Sequence, residues 1–269
     1  SYDGTYEFLK ELSKKNKQIK IFRNSKNFGI GYVRNRIISK ANGEFLAFFD
    51  DDDESISNRL ELQYNRIIDY EKKYKIKSAV ICHSSREVYY PNGKIRIQST
   101  LGTNTNSIAP FGISVANRIL LGKPLKDGYG SCATCSQMAR LSTYKILGGF
   151  DSKFRRSEDT DFCIKHSLLG THFIGISTPL VKQLMTLSED KNIEIEFRFF
   201  ELMLKKYKNF IQVNGNYKFC LSWLKLKYFF SKRNFLMFFL HILFISTRYP
   251  KDTIQRLCMS LKTIRLNND

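Results

Sequence analysis

The sequence predicts an α/β protein, a mixed sheet flanked by helices, followed by a helical extension of different character. Three observations predict it. Helical periods alternate with short apolar runs over the first part of the chain. Four consecutive aspartates, Asp50–Asp53, close one of those runs, Glu44–Phe49. Beyond residue 190 the alternation stops, and basic residues mix with aromatic ones.

Residues 3–15 carry Tyr6, Leu9 and Leu12 at helical spacing, with Asp3 or Thr5 as the cap. Ile19–Phe22 reads as a strand, and Asn24–Gly31 as a polar turn. Tyr32–Lys40 is helical, with Val33, Ile37 and Ile38 inward, and Asn42-Gly43 ends it. Glu44–Phe49 is too short and too aromatic for a helical period and reads as a buried strand. Asn58-Arg59-Leu60-Glu61 has the form of a capping box, with a helical stripe of Leu60, Tyr64, Ile67 and Ile68 beyond it. This alternation predicts parallel strands with helices on both faces. Lys77–Cys82 and Glu87–Tyr90 read as two strands, with a turn at Pro91-Asn92-Gly93. Residues 99–130 are rich in Gly, Asn and Ser and show no period, the mark of a functional loop. Ser142–Leu147 and Glu158–Leu169 are short helices, His172–Ile176 a strand and Ile193–Ile211 one long amphipathic helix.

The aspartates are the strongest chemical signal. Four like charges at a strand end repel one another, and folding alone gives no reason for them. A divalent cation does, because Mg²⁺ and Mn²⁺ take carboxylate oxygens and share them with substrate phosphates. Open α/β sheets bind ligands at the carboxyl ends of their strands. The bland alternative is an acidic, solvated turn.

Composition narrows the class. The chain has 269 residues, 42% hydrophobic and 14% aromatic, which excludes wholesale disorder. Its net charge of +19 calls for a polyanionic partner or surface. From residue 201 onward thirteen Lys and Arg face Glu201, Asp252 and Asp269, a local excess of +10. No groove-reading motif accompanies that charge, which disfavours nucleic acid. The six cysteines are sparse and irregular, as in a cytosolic protein with reduced thiols. Cys132-Ala-Thr-Cys135 has metal or redox spacing without a second pair and reads as ordinary buried thiols. The four histidines show no ligand spacing and read as structural or surface residues.

Residues 219–249 are apolar with basic interruptions. The run Phe235–Ser246 is shorter than the ~20 residues a spanning helix needs. Trp223, Phe229, Phe230, Phe235, Phe238 and Phe239 alternate with Lys225, Lys227, Lys232 and Arg233. That mix predicts a segment lying in the membrane interface. The alternative is packing against the preceding domain.

Four ordered motifs carry a resemblance. They are Asn24-Ser-Lys-Asn27-Phe-Gly29-Ile-Gly31-Tyr-Val-Arg34-Asn35 with Ala41-Asn-Gly43-Glu44, then Phe48-Phe49-Asp50-Asp51-Asp52-Asp53, Gly148-Gly149-Phe150-Asp151 and Arg156-Ser157-Glu158-Asp159-Thr160-Asp161. Together they resemble the family 2 glycosyltransferases of GT-A fold, over roughly residues 1–190. The resemblance implies a metal-dependent, inverting transfer of a sugar from a nucleotide-diphosphate donor, UDP-linked, to a glycan or lipid-linked acceptor. It also implies surface polysaccharide biosynthesis at the cytoplasmic membrane face. By resemblance the metal, Mn²⁺ or Mg²⁺, falls to Asp52 with Asp50 and Asp53, and Asp50 lies nearer the ribose. Asp3, Asn27, Gly29, Arg34, Asp50 and Asp51 become substrate-binding residues. Asp159 becomes the base that deprotonates the acceptor hydroxyl, with Glu158 orienting it. The plainer reading of Glu158-Asp159 is a helix first turn that acidic residues suit anyway. Arg34 is equally well read as a diphosphate contact or a solvated helix-start residue.

Two departures stand out. Ser1–Thr5 resembles the end of the family's DDGSxDGT motif, so a first βαβ portion, with its strand and base-contacting aspartate, is expected to be missing from this chain. Val181–Thr186 stands where the family carries an Arg/His element, with Lys182 as the substitute. The expected division is a catalytic domain over 1–190 and a helical, basic and apolar extension over 191–269. A catalytically incomplete family member, or a basic nucleic-acid- or partner-binding protein, is the competing reading.

Overall fold

The computed structural model describes residues 3–146, 148–185 and 192–266, with side chains as far as Leu261. Ser1 and Tyr2 of the opening motif, Leu147 and Thr186 lie outside the described residues. Helix α1 (Thr5–Lys15) is followed by a stretch without regular structure, and α2 (Ile30–Lys40) leads to strand β1 (Phe45–Ala47). Ile19–Phe22 forms no strand. Its alternation suits a sheet edge, but a strand needs a neighbour to satisfy its amides, and none of the described strands pairs with it.

After the aspartates come β2 (Asp53–Ser55) and α3 (Arg59–Tyr74). The capping box does not form, because Asn58 makes no side-chain cap bond. Arg59 takes over the junction from inside: 1% exposed, it donates to the Phe48 carbonyl at 2.9 Å, Ser55 Oγ at 2.8 Å and Gln63 Oε1 at 2.9 Å.

Lys77–Tyr90 is one strand rather than two. β3 (Val80–Tyr89) runs unbroken through His83, Ser84 and Ser85, and the Pro91–Gly93 turn joins it to β4 (Ile95–Gln98). A central strand can bury polar residues where neighbours satisfy them, and the His83 ring meets Gln137 Nε2 at 3.2 Å. The long loop contains a short helix, α4 (Ile113–Ala116), and a π-helical turn, Asn117–Leu121. Then follow β5 (Met138–Arg140), α5 (Leu141–Ile146), α6 (Glu158–Leu168) and β6 (His172–Leu184).

The sheet order is β1-β5-β3-β6-β2, with β4 hairpinned onto β3. It is mixed, as the fold class expected; the parallel sheet expected from the alternation of helix and strand is corrected. Among the described strands only β3 and β6 pair in parallel; β5 enters antiparallel between β1 and β3. Side chains alternate across the faces as a strand dictates. Ile81, Ala139 and Phe173 pack with Ile38, Phe48, Phe150 and Phe162 on one side. Val80, Cys82, Met138 and Ile174 pack with Ile67 and Tyr70 of α3 on the other.

Among the described residues five helices follow: α7 (Ile193–Lys206), α8 (Lys208–Asn214), α9 (Tyr217–Ser231), α10 (Phe235–Arg248) and α11 (Pro250–Leu266). The single helix expected over 193–211 breaks at Tyr207. Met203, Leu204, Tyr207, Ile211 and Cys220 share one core with Ala116, Leu120, Phe154 and Ile164, so the extension is packed onto the sheet domain. Trp223, expected at a membrane interface, is buried with Phe219, Leu226 and Ile245. α10 is different: Leu236, Phe239, Leu240, Leu243 and Phe244 are exposed.

Candidate active site

Two junctions set the site. One is the carboxyl end of β1, which Arg59 pins through the Phe48 carbonyl. The other is the start of α6, where Ser157 holds a left-handed backbone at φ 59°. That conformation is uncommon outside glycine and concentrates at functional sites. Between them lies a cavity of about 720 Å³, a volume typical of small-molecule sites. Asp50, Asp51, Asp52, Glu158 and Asp159 all line it, as do residues of the long loop.

Arg34 joins the two junctions. Its guanidinium donates to Glu158 Oε1 at 2.5 Å and to Asp50 Oδ1 at 3.3 Å, and the residue is 5% exposed. Asp50 therefore has a basic neighbour, and the solvated alternative for Arg34 is corrected. Burial raises the Glu158 carboxyl above its ordinary range; the charge of Asp159 adds to this and Arg34 opposes it. The Asp159 carboxylate accepts the Thr160 amide at 2.6 Å.

At the aspartate end, an oxygen of Asp50, an oxygen of Asp53 and Cys135 Sγ lie within 4.8 Å of one another. Both Asp53 oxygens are buried without a hydrogen-bond partner. Burial pushes this carboxyl above the usual carboxylate range; the Cys135 thiol offsets part of that, and Asp52 and Asp50 add to it. The Cys135 thiol is itself pushed up to about 12 by burial. An orphaned buried carboxylate beside a second one fits a hard divalent cation. Asp51 and Asp52 are exposed on the cavity rim, and Asp52 is outside the 4.8 Å group.

The remaining sequence candidates do not line this cavity. Asn27 Oδ1 accepts the Gly29 amide at 2.9 Å, and Gly29, at φ 86°, opens α2. This turn supports the start of the helix that carries Arg34. Asn27 also lines a second, open cavity of about 860 Å³ between α1 and residues 21–27. Asp3 is exposed and accepts from Thr5. Lys182 pairs with Glu54 at 3.2 Å. Sequence reasoning missed Arg59, Arg86 and Cys135. Arg86 lines the cavity and donates to Gln98 Oε1 at 2.6 Å and Ser131 Oγ at 3.0 Å. Only the unusual C-x-x-C spacing had drawn attention to Cys135.

Residues 1–139 match the sequence profile described as Glycosyl transferase family 2. Among curated proteins, the cholesterol galactosyltransferase of Borreliella burgdorferi is 41% identical over 66 residues, 24% of this chain and 18% of that protein. An uncharacterized glycosyltransferase of Rickettsia bellii is 28% identical over 177 residues, 60% of this chain and 24% of that protein. The matched segments thus span about a quarter or less of these relatives. Among solved structures, S. aureus TarS in complex with UDP-GlcNAc superposes with a TM-score of 0.55 at 16% identity. That match covers 85% of this chain and 61% of the other. At this identity the likeness speaks for the fold.

Proposed function

Because the chain belongs to glycosyl transferase family 2, we propose that it transfers a sugar from a nucleotide-diphosphate donor to an acceptor hydroxyl, with inversion and with help from a divalent metal. The observation that carries this reading is Arg34, which ties Asp50 to Glu158 across one cavity. It joins the aspartate-rich strand end to the acidic helix start, as a single transfer site requires. A uridine-diphosphate donor is supported by the solved relative, TarS, bound to UDP-GlcNAc.

The residues divide the work. Asp50 and Asp53 would hold Mn²⁺ or Mg²⁺, with Asp52 on the rim beside them. When bound, such an ion supplies Lewis-acid neutralisation of the diphosphate leaving group. Arg34 keeps two partly desolvated carboxylates compatible and fixes Glu158 next to the base. Asp159 takes the proton of the acceptor hydroxyl. A single base with no protein nucleophile gives in-line displacement, and hence inversion. Residues 1–190 form the catalytic unit and 191–269 its extension. The exposed apolar face of α10 and the basic excess support peripheral attachment to the cytoplasmic membrane face, with a glycan or lipid-linked acceptor for surface polysaccharide. Among the described residues no helix is long and apolar enough to cross a membrane.

A donor screen with Mn²⁺ tests the proposal. Asp159→Asn should lower turnover by about 10²–10⁴-fold while donor binding persists, since the base acts on the acceptor. Chelator should silence the wild type, and Asp53→Asn should lose the stabilisation that Mn²⁺ gives the folded chain. Near-normal turnover in Asp159→Asn, or full activity in excess chelator, would sink the corresponding role.

A further inference from the structure

The far wall of the cavity holds positive charge that the reaction described above does not use. Arg118, in the π-helical turn after α4, lines the cavity, and its guanidinium lies over the Tyr129 ring, 5.2 Å from the centroid. Its Nε is buried without an acceptor. Arg256 arrives from α11 and donates to the Leu120 carbonyl at 2.6 Å. Its Nε is likewise buried and unpaired. The approach depends on Gly122, where a Cβ would stand 2.0 Å from Arg256 Nη1.

Among the described residues, neither guanidinium forms an ion pair with a carboxylate. Desolvation lowers the pKa of both; for Arg256 the Cys220 thiol and Asp252 offset part of this, and the charge of Arg118 adds to it. Lys227 of α9 is depressed as well, first by desolvation and then by the charges of Arg256 and Arg118. Arg118 thus lines the cavity, Arg256 reaches the carbonyl of Leu120 two residues on, and Lys227 adds its charge from an exposed position on α9. Buried charge without a partner is costly. Helix-end capping accounts for one Arg256 bond, and ring contact for one face of Arg118. Neither accounts for the two orphaned Nε–H donors.

We propose that Arg118 and Arg256, with Lys227, form an anion site for a phosphoryl group carried by the acceptor. The inference rests on reading the cavity as the transfer site. The side of the cavity decides for the acceptor. The Arg118 segment shares cores with α6, Val115 lying in one with Phe162 and Leu120 in another with Ile164, and α6 begins with Glu158 and Asp159. The donor diphosphate belongs at the other end, with Asp50 and Asp53. Charge decides for phosphate. Three cations match a dianion, whereas one carboxylate would leave the cluster strongly positive. Arginine's planar fork suits phosphoryl oxygens.

The test uses the full chain in chelator, without donor, at fixed ionic strength. Thermal stability is followed against inorganic phosphate, octyl phosphate and nonanoate. Phosphate and octyl phosphate should raise the melting temperature of the wild type, and nonanoate should not. Binding should be at least tenfold weaker in Arg118→Gln and Arg256→Gln. Arg118→Lys, which keeps the charge but not the fork, should fall between, and it also serves if a Gln variant fails to fold. Tighter binding of octyl phosphate than of phosphate would identify a lipid-borne group, and equal binding a glycan-borne one. No phosphate effect on the wild type, or equal effects in all variants, would overturn the site. Since neither metal nor donor is present, a failure of the transferase reading leaves this result independent.

Discussion

Arg34 shows how much one buried side chain can organise. Its guanidinium bonds Asp50 and Glu158 at the same time, so removing it leaves two carboxylates facing each other in a desolvated space. Arg34→Ala is expected to lose about 3 kcal/mol of stability, measured by denaturant unfolding, and to lose turnover. Arg34→Lys should fold but transfer poorly, because an ammonium cannot span both partners as a fork does. The buried histidines give a pH signature. The His83 imidazole is pushed down to about 3, first by burial and then by the charges of Arg86 and Arg59. His166 is pushed down to about 4, chiefly by burial. For a base with a depressed folded pKa, the unfolded chain binds a proton that the folded chain does not. The stability from keeping these rings neutral is therefore complete above the ordinary histidine pKa. It is lost as pH falls toward 3, by up to about 1.4 kcal/mol per pH unit for each ring. Denaturant midpoints at pH 7 and pH 5 should reveal the loss, and His83→Gln should show a shallower one.

At the scale of elements, two joints matter. The first is in β6, where the register against β3 shifts around Ser85 and Pro179. Beyond that shift Val181, Lys182 and Gln183 pair with Ser55, Glu54 and Asp53, so the irregularity brings the last strand to the aspartates. The second is the dock of α7. Lys206 bridges Asp151 at 2.8 Å and the fully buried Asp161 at 2.7 Å, and Tyr207 Oη donates to Asp161 at 2.8 Å. Asp151 and Asp161 end the two motifs that frame the proposed base, Asp159, so the extension braces that turn. Lys206→Met strands the buried Asp161 carboxylate and should cost about 3 kcal/mol. Tyr207→Phe should cost about 1 kcal/mol. Thermal unfolding of both variants checks the order. Equal, negligible shifts would mean the dock is held by its apolar contacts alone.

At the scale of the molecule, the extension has two faces. One is packed: Cys220 shares a core with Leu120, Leu121, Met203 and Ile211, so deleting residues 219–269 would uncover these side chains and invite aggregation. The other is the α10 face, with Leu236 72% exposed and Phe239 65% exposed. Apolar insertion and attraction of basic residues to anionic headgroups add together in such a segment. Co-sedimentation with anionic liposomes is expected, weaker at high salt. A variant with Leu236, Phe239, Leu240 and Leu243 changed to Ser should stay folded, because these side chains are already in water, and should lose most of the binding. Undiminished binding by that variant would assign the interaction elsewhere.

The sequence by itself determined the α/β class, the order of most elements and the acidic motifs at both ends of the cavity. These are local properties: hydrophobic period, turn chemistry and like charges placed where folding gives no reason for them. It did not determine strand direction. That β5 runs antiparallel between β1 and β3 follows from long-range pairing, on which a period of two is silent. Nor did it determine which polar residues are buried. Arg59, Cys135 and Arg118 look like ordinary surface or core residues in one dimension, Arg34 stood out only through the motif it belongs to, and desolvation depends on what the whole chain brings around them. The tertiary structure alone decided that Arg34 joins two motifs far apart in sequence, that Asp53 is the carboxylate left without a partner, and that a tail of mixed composition divides into a packed side and an exposed one.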